Sequence, residues 1–298
     1  MSMYFRVAAF PIFLMSALGA CVGGAGGGGG GGGPSVPDVP FTSFAAIPPN
    51  QTVVMPGVSQ TASGTSTTMK LNAIDRNDSS TALTYDATGK LSGLRLSTPQ
   101  SSVSFGSHEI GCFSPGACRG ANAESLAVAI DPAYFDWNYQ SFGVWLKDVS
   151  TSSFQAGAMS AGAITPASSL PTGLTDARFQ GHAAGFYYDG AGNRYATDAK
   201  MNALTDFKNR NIQFSTSGTL LTDMSTNART TNTNLDLSGN WSYASGTSQF
   251  SGDVRTSDGA LTGTGSGRFY GPNAEEIGGV YGLSGGGARM LGGFGGKR

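Results

Sequence analysis

Short apolar runs recur roughly every 8–15 residues along the second half of this sequence, with Gly, Asn or Asp between them, the spacing of short strands joined by tight turns. Trp241 to Ala244, Gln249 to Val254, Ala260 to Tyr270, Val280 to Leu283 and Ala288 to Phe294 are successive examples. Leu204 to Phe207, Ile212 to Thr216 and Leu235 to Leu237 are others, and Gly190-Ala-Gly-Asn is a turn before Arg194. Earlier still, Ala177-Arg-Phe-Gln-Gly-His and Ala184-Gly-Phe-Tyr-Tyr-Asp read as two neighbouring runs. With 46 glycines among 298 residues and only 12% charged residues, the chain is poor in helix formers and rich in turn formers. The expectation is an all-β protein. An antiparallel up-and-down barrel of about eight strands fits the second half, because closure removes exposed edges. A sandwich shares the rhythm.

The first half is less regular. From Gln51 to Thr165, Ala82-Leu-Thr-Tyr-Asp and Leu91-Ser-Gly-Leu-Arg-Leu alternate with period two, and Phe142-Gly-Val-Trp-Leu is rich in β-forming side chains. Ala123 to Ile130 reads as a strand or a short helix, ended either way by Asp131-Pro132. Before this region lies a segment of glycine, then Pro34, Pro37, Pro40, Pro48 and Pro49, which reads as a tether with a root-mean-square reach of about 30 Å. The expected organisation is a leader over 1–20, a tether over 21–50, a small β-rich domain over 51–165 and a barrel over 166–298.

Net charge is -1, so no basic surface points to nucleic acid. Beyond the leader, no segment is apolar enough to span a membrane as a helix. Cys112 and Cys118 enclose Phe-Ser-Pro-Gly-Ala, with Pro115-Gly116 supplying a reversal. Outside the cytoplasm an even pair this close reads as a disulfide, one that stabilises by roughly 2–3 kcal/mol.

The leader runs from Arg6 through an apolar stretch to Leu18-Gly19-Ala20-Cys21, the layout of a secretory signal. Leu-Gly-Ala-Cys resembles the lipobox of bacterial lipoproteins. That resemblance implies acylation of Cys21, palmitate among the acyl groups, and a partner in outer-membrane lipid. Several acyl chains exceed the two signals that stable anchoring requires. Val22 after the cysteine, rather than Asp, fits transport to the outer membrane of a Gram-negative cell.

Gly267-Arg-Phe-Tyr-Gly-Pro-Asn-Ala-Glu-Glu-Ile-Gly-Gly-Val-Tyr resembles the closing motif of the transferrin-binding protein B barrel family. Phe269, Tyr270, Gly271, Pro272, Ala274, Glu275, Glu276, Gly278 and Gly279 carry the match. Phe142-Gly-Val-Trp resembles an earlier strand of such lobes, and Leu170-Pro-Thr-Gly-Leu-Thr-Asp-Ala-Arg-Phe-Gln-Gly the barrel's opening strand, with Thr205-Asp-Phe further on. The resemblance covers roughly 130–294 well and 50–130 loosely. It implies a lobe made of a handle domain and an eight-stranded barrel, at the cell surface. Such a lobe binds an extracellular protein ligand, in some relatives for iron or haem acquisition, without catalysis and without a cofactor. The ligand-contacting residues do not transfer.

Read without the family, Gly271-Pro272 takes the chain out of a strand ladder, and Glu275-Glu276 sit on a hydrogen-bonded or solvated hairpin turn. Gly282-Leu-Ser284-Gly-Gly286 fits G-x-S-x-G, but glycines follow where a nucleophile elbow needs a helix, and His108 and His182 both precede it. Gly263-Thr-Gly265-Ser-Gly267 lacks the lysine of a phosphate loop. The two histidines have no paired metal-ligand spacing. Phe186-Tyr-Tyr188 and Tyr134-Phe-Asp-Trp-Asn-Tyr139 are candidates for partner contact, although aromatics also fill barrels. A small-ligand carrier with a lipocalin-like barrel site and an adhesive envelope protein remain as alternatives.

Overall fold

The computed structural model describes residues 38–65, 68–113, 116–147 and 153–298. The leader, Cys21 and the glycine run lie outside the described residues. The first domain contains β1 (Asp38–Pro40), β2 (Thr52–Thr65), β3 (Met69–Leu71), β4 (Asp75–Tyr85), β5 (Leu91–Ser97) and β6 (Ser102–Gly106). It continues with β7 (Ile110–Phe113), β8 (Ala117–Ala121), β9 (Ser125–Ile130), β10 (Gln140–Lys147) and β11 (Ser153–Gly162). These form one sheet in the order β6-β5-β4-β2-β11-β10-β9-β8-β7, with β1 and β3 both paired to β2. The sheet curls until β5 approaches β7, so it is nearly closed.

Two expectations are refined here. The segment assigned to the tether enters the sheet at Asp38, where β1 pairs in parallel with β2, and Phe41 is buried in this domain's core. Its prolines do not prevent this, because an edge strand tolerates the missing donor. Ala123 to Ile130 resolves as strand β9, since both of its edges find partners, β8 on one side and β10 on the other.

The second domain is a meander: β12 (Ala177–Tyr188), β13 (Arg194–Asp206), β14 (Asn211–Asp223), β15 (Arg229–Thr231), β16 (Leu237–Ser242), β17 (Gln249–Thr256), β18 (Thr262–Tyr270), β19 (Glu276–Gly285) and β20 (Ala288–Lys297). β12 pairs with both β13 and β20, and β13 pairs with β14, so eight strands close into an antiparallel barrel with β15 appended to β14. The two runs around Gly181 are one strand. A Cβ on Gly181 would fall against the Gly295 carbonyl, so its absence lets β12 and β20 pair without a break. Leu204 to Phe207 is likewise the end of the strand that starts at Arg194.

Turn chemistry fixes the hairpins. Asp86, Asp189, Asp206, Asp223 and Asp258 each accept backbone N–H groups two to four residues further on. Hydroxyl bonds from Thr88, Ser225 and Thr256 to Asp86, Asp223 and Asp258, with these N–H bonds, favour the charged carboxylate and, at Asp189 against burial, hold all five acids below the usual range, Asp223 at about 2.

Strict alternation builds the barrel wall. On β14, Ile212, Phe214 and Thr216 point inward, while Asn211, Gln213 and Ser215 are exposed. The interior is filled by Phe179, Phe214, Trp241, Phe250, Phe269 and Phe294. Trp241 stacks on Phe214 at 4.3 Å and on Phe250 at 5.6 Å between ring centroids. Its indole covers Gly239, Gly252 and Gly265, at each of which an added Cβ would come within 2.8 Å of the ring. The glycine-rich strands are therefore half of an aromatic packing scheme. In the first domain Gly157 gives the same room to Trp145 directly opposite it.

Part of the outer face of β12, β19 and β20 does not face water. Phe186, Tyr188, Val280 and Leu291 of the barrel join Val58, Ala62, Val144, Leu146, Phe154, Ala156 and Ala158 of the first domain in one apolar cluster. Phe154 and Tyr188 stack at 5.2 Å. Phe186 and Tyr188 are thus core rather than contact residues.

Candidate functional site

The family-like motif lies where the two domains meet. Phe269 packs among Phe179, Phe207, Tyr243 and Phe250 inside the barrel. Tyr270, next in the strand, points the other way, and its hydroxyl lies 3.1 Å from the Ser160 hydroxyl of β11. Gly271, at φ 89°, turns out of the ladder; its N–H donates to the Ala163 carbonyl, and its carbonyl accepts from the Thr165 hydroxyl at 2.6 Å. Pro272 is exposed on the turn, and Ala274 is buried at φ 58°. Gly278 leaves room for Ser160 and Gln140, and Gly279 for the Phe294 ring.

The two glutamates part company. Glu275 stays local and accepts from the Asn273 N–H and side-chain amide at 2.8 and 3.0 Å. Glu276 is fully buried and reaches into the other domain. Its Oε1 accepts from the Asn138 N–H at 2.6 Å, and its Oε2 from the Tyr139 and Gln140 N–H groups at 3.1 and 2.9 Å. Burial pushes its carboxyl up to about 7, against the pull of the three N–H donors and Lys297. A second tie sits beside it: Lys297 Nζ donates to the Asp136 carbonyl and carboxylate at 2.6 and 2.5 Å.

Both ties act on the loop between β9 and β10, residues 131–139. Within it Trp137 is buried, Phe135 lies 4.7 Å from the His182 ring of the barrel, and Asp136 adopts φ 56°. Among the described residues, Tyr134 is the large apolar side chain left exposed, at 45%. Tyr134 and Phe135 rest on Gly116, where a Cβ would come within 2.8 Å of either ring. Gly116 belongs to the β7–β8 hairpin, in which Cys112 and Cys118 stand directly opposite one another and are joined as a disulfide. The aromatic loop is therefore held by the barrel on one side and by the disulfide hairpin on the other.

A cleft of about 160 Å³ opens beside this loop, between Leu126, Val128 and Val144 on one wall and Phe186 and Met224 on the other. Burial raises the carboxyl of Asp198, which lines the cleft, to about 6, opposed by the Arg229 charge and the Ala199 N–H. Burial, then the Lys200 charge, lowers His182, which favours a neutral ring.

Other sequence candidates are not brought together. His108 is exposed on the turn after β6, and His182 lies on the barrel. Among the described residues no group of three metal-ligating side chains occurs. Ser284 sits at the end of β19, opposite Arg289, whereas His182 is opposite Gly295. Six positions along a strand is about 20 Å. The Gly282–Gly286 stretch is strand and hairpin rather than an elbow.

Residues 168–298 match the family described as the C-lobe and N-lobe beta barrels of Tf-binding protein B. The second domain is a transferrin-binding protein B-like barrel. Among solved structures, the isotype 1 transferrin binding protein B of serogroup B Neisseria meningitidis is similar at 18% identity and a TM-score of 0.49, over 81% of this chain and 43% of that one. A mutant transferrin binding protein B from Haemophilus parasuis Hp5 is similar at 16% identity and 0.48, over 81% and 44%. An intact Ap-TbpB with N and C lobes is similar at 12% identity and 0.44, over 84% and 77%. The chain thus spans less than half the length of the first two. No curated protein sequence matches it. In this barrel, Glu276 and Gly271 of the motif bond across to the other domain, a role that local sequence spacing does not reveal.

Proposed function

We propose that this chain is a lipid-anchored outer-membrane protein whose handle-plus-barrel lobe captures a macromolecular ligand without catalysis. The observation that carries this reading is the loop 131–139. It is fixed at both ends and presents Tyr134 to solvent on a transferrin-binding protein B-like scaffold. A pre-organised aromatic loses little freedom when a partner covers it, the property expected of an interface anchor. The solved relatives are named for transferrin binding; by that likeness the ligand is an extracellular protein, and iron or haem supply is the process its capture serves. Acylation of Cys21 supplies the anchor, and the Gly/Pro-rich segment after it holds the lobe clear of the lipid headgroups. A lipocalin-like carrier fits less well, because an eight-stranded barrel has room for side chains or for one small ligand, and here aromatic side chains occupy the space.

Protease shaving of intact cells tests this reading. The lobe is expected to disappear from blots while a periplasmic control protein survives. Survival of the lobe on intact cells, with digestion after lysis, would make capture of external proteins untenable.

A further inference from the structure

The handle contains a second, chemically different site. Its sheet curls but does not close between β6 and β7. Near this seam Leu83 of β4, Leu94 of β5 and Ile110 of β7 are partly buried and packed against the core. They surround a cavity of about 300 Å³ that Met55 and Met159 floor. That volume is at the lower end of small-molecule sites and is roughly ten times the share of one liquid water. Apolar cavities stay dry, and one of about 150 Å³ already accepts benzene.

We propose that this cavity binds a neutral, apolar small molecule, of the size of a ten-carbon chain, that carries one hydroxyl or carbonyl group. The walls select the apolar body. Tyr85 and Asp131 line the cavity and select the polar end. Burial, then the Asp131 charge, pushes the Tyr85 phenol up to about 12, so it is a neutral O–H donor at physiological pH. Asp131, whose carboxylate accepts the Ala133 N–H, and Arg119 line the cavity together, one charge of each sign, so a carboxylate end would bring an uncompensated charge into an otherwise apolar site whereas a hydroxyl brings none. The disulfide Cys112–Cys118 forms part of the same wall and keeps the seam strand β7 in register with β8. This site is independent of macromolecular capture and stands or falls separately from it.

The test is calorimetric titration of the full chain carrying Cys21→Ser, so that no detergent competes for the cavity. Decan-1-ol is expected to bind saturably with one site, and decanoate about tenfold or more weaker at pH 7.5. Leu94→Trp fills the cavity and should weaken decanol at least about tenfold, with Leu83→Phe read in the same way if that variant does not fold. Asp131→Asn should bring decanoate to within about threefold of decanol. Absence of saturable decanol binding overturns the proposal. So does decanol affinity indifferent to the filling substitution, or equal binding of decanol and decanoate to the unsubstituted cavity.

Discussion

Glu276→Ala is expected to cost about 3–5 kcal/mol, because it strips three backbone N–H groups of their acceptor in a site from which water is excluded. Stability of the whole chain is of order 5–15 kcal/mol, so the variant approaches the limit of folding. Glu276→Gln is the sharper probe. Its amide oxygen replaces one carboxylate oxygen, while its NH2 faces the remaining donor or donors, so the best flip keeps two bonds and leaves one N–H opposed. About 2–3 kcal/mol is expected for it. Urea unfolding should return the order wild type, Gln, Ala, and because burial raises the Glu276 carboxyl to about 7, wild-type stability should fall and its gap to Gln narrow as pH rises from about 4.5 to 8. Equal stability of Gln and wild type would mean that the carboxylate contributes no more than shape.

Trp241→Ala removes the indole that roofs Gly239, Gly252 and Gly265 and stacks between Phe214 and Phe250. No neighbouring Cβ can move into the space, since three of the residues beneath it are glycines, so the cavity cannot collapse easily. The expected loss is about 3–5 kcal/mol, at the upper end for aromatic truncation. The Asp253 carbonyl also loses its indole N–H donor at 3.0 Å. Thermal unfolding checks this. A loss below about 1 kcal/mol would show that the barrel interior is not the tightly filled core described here.

How much of this was legible in the sequence follows from what each feature depends on. The barrel strands were visible because inward and outward side chains alternate, as on β14, and because aspartates and glycines mark each hairpin. Strand continuity through Gly181 was not, since a glycine between apolar runs looks like a turn until the backbone packed against it is known. Asp38–Pro40 looked like linker because three residues beside prolines carry no period, and their pairing is set by β2, which begins at Thr52. In the motif, the departure from the ladder at Gly271 could be read locally. Glu276 could not be assigned its role, because its partners lie 136–138 residues away. Phe186 and Tyr188 were equally ambiguous: on a barrel wall an outward aromatic is exposed unless another domain covers it, and here the handle does.

Loop 131–139 is a preformed platform, locked to the barrel through Glu276. Amide hydrogen exchange at Asn138, Tyr139 and Gln140 tests it most directly, because these three donors hold the carboxylate. Protection comparable to that of the β19 and β20 ladder is expected, although Asn138 and Tyr139 lie outside any strand. In Glu276→Gln that protection should be lost selectively, with the barrel strands unchanged. Rapid exchange of all three amides in the wild-type chain would contradict it.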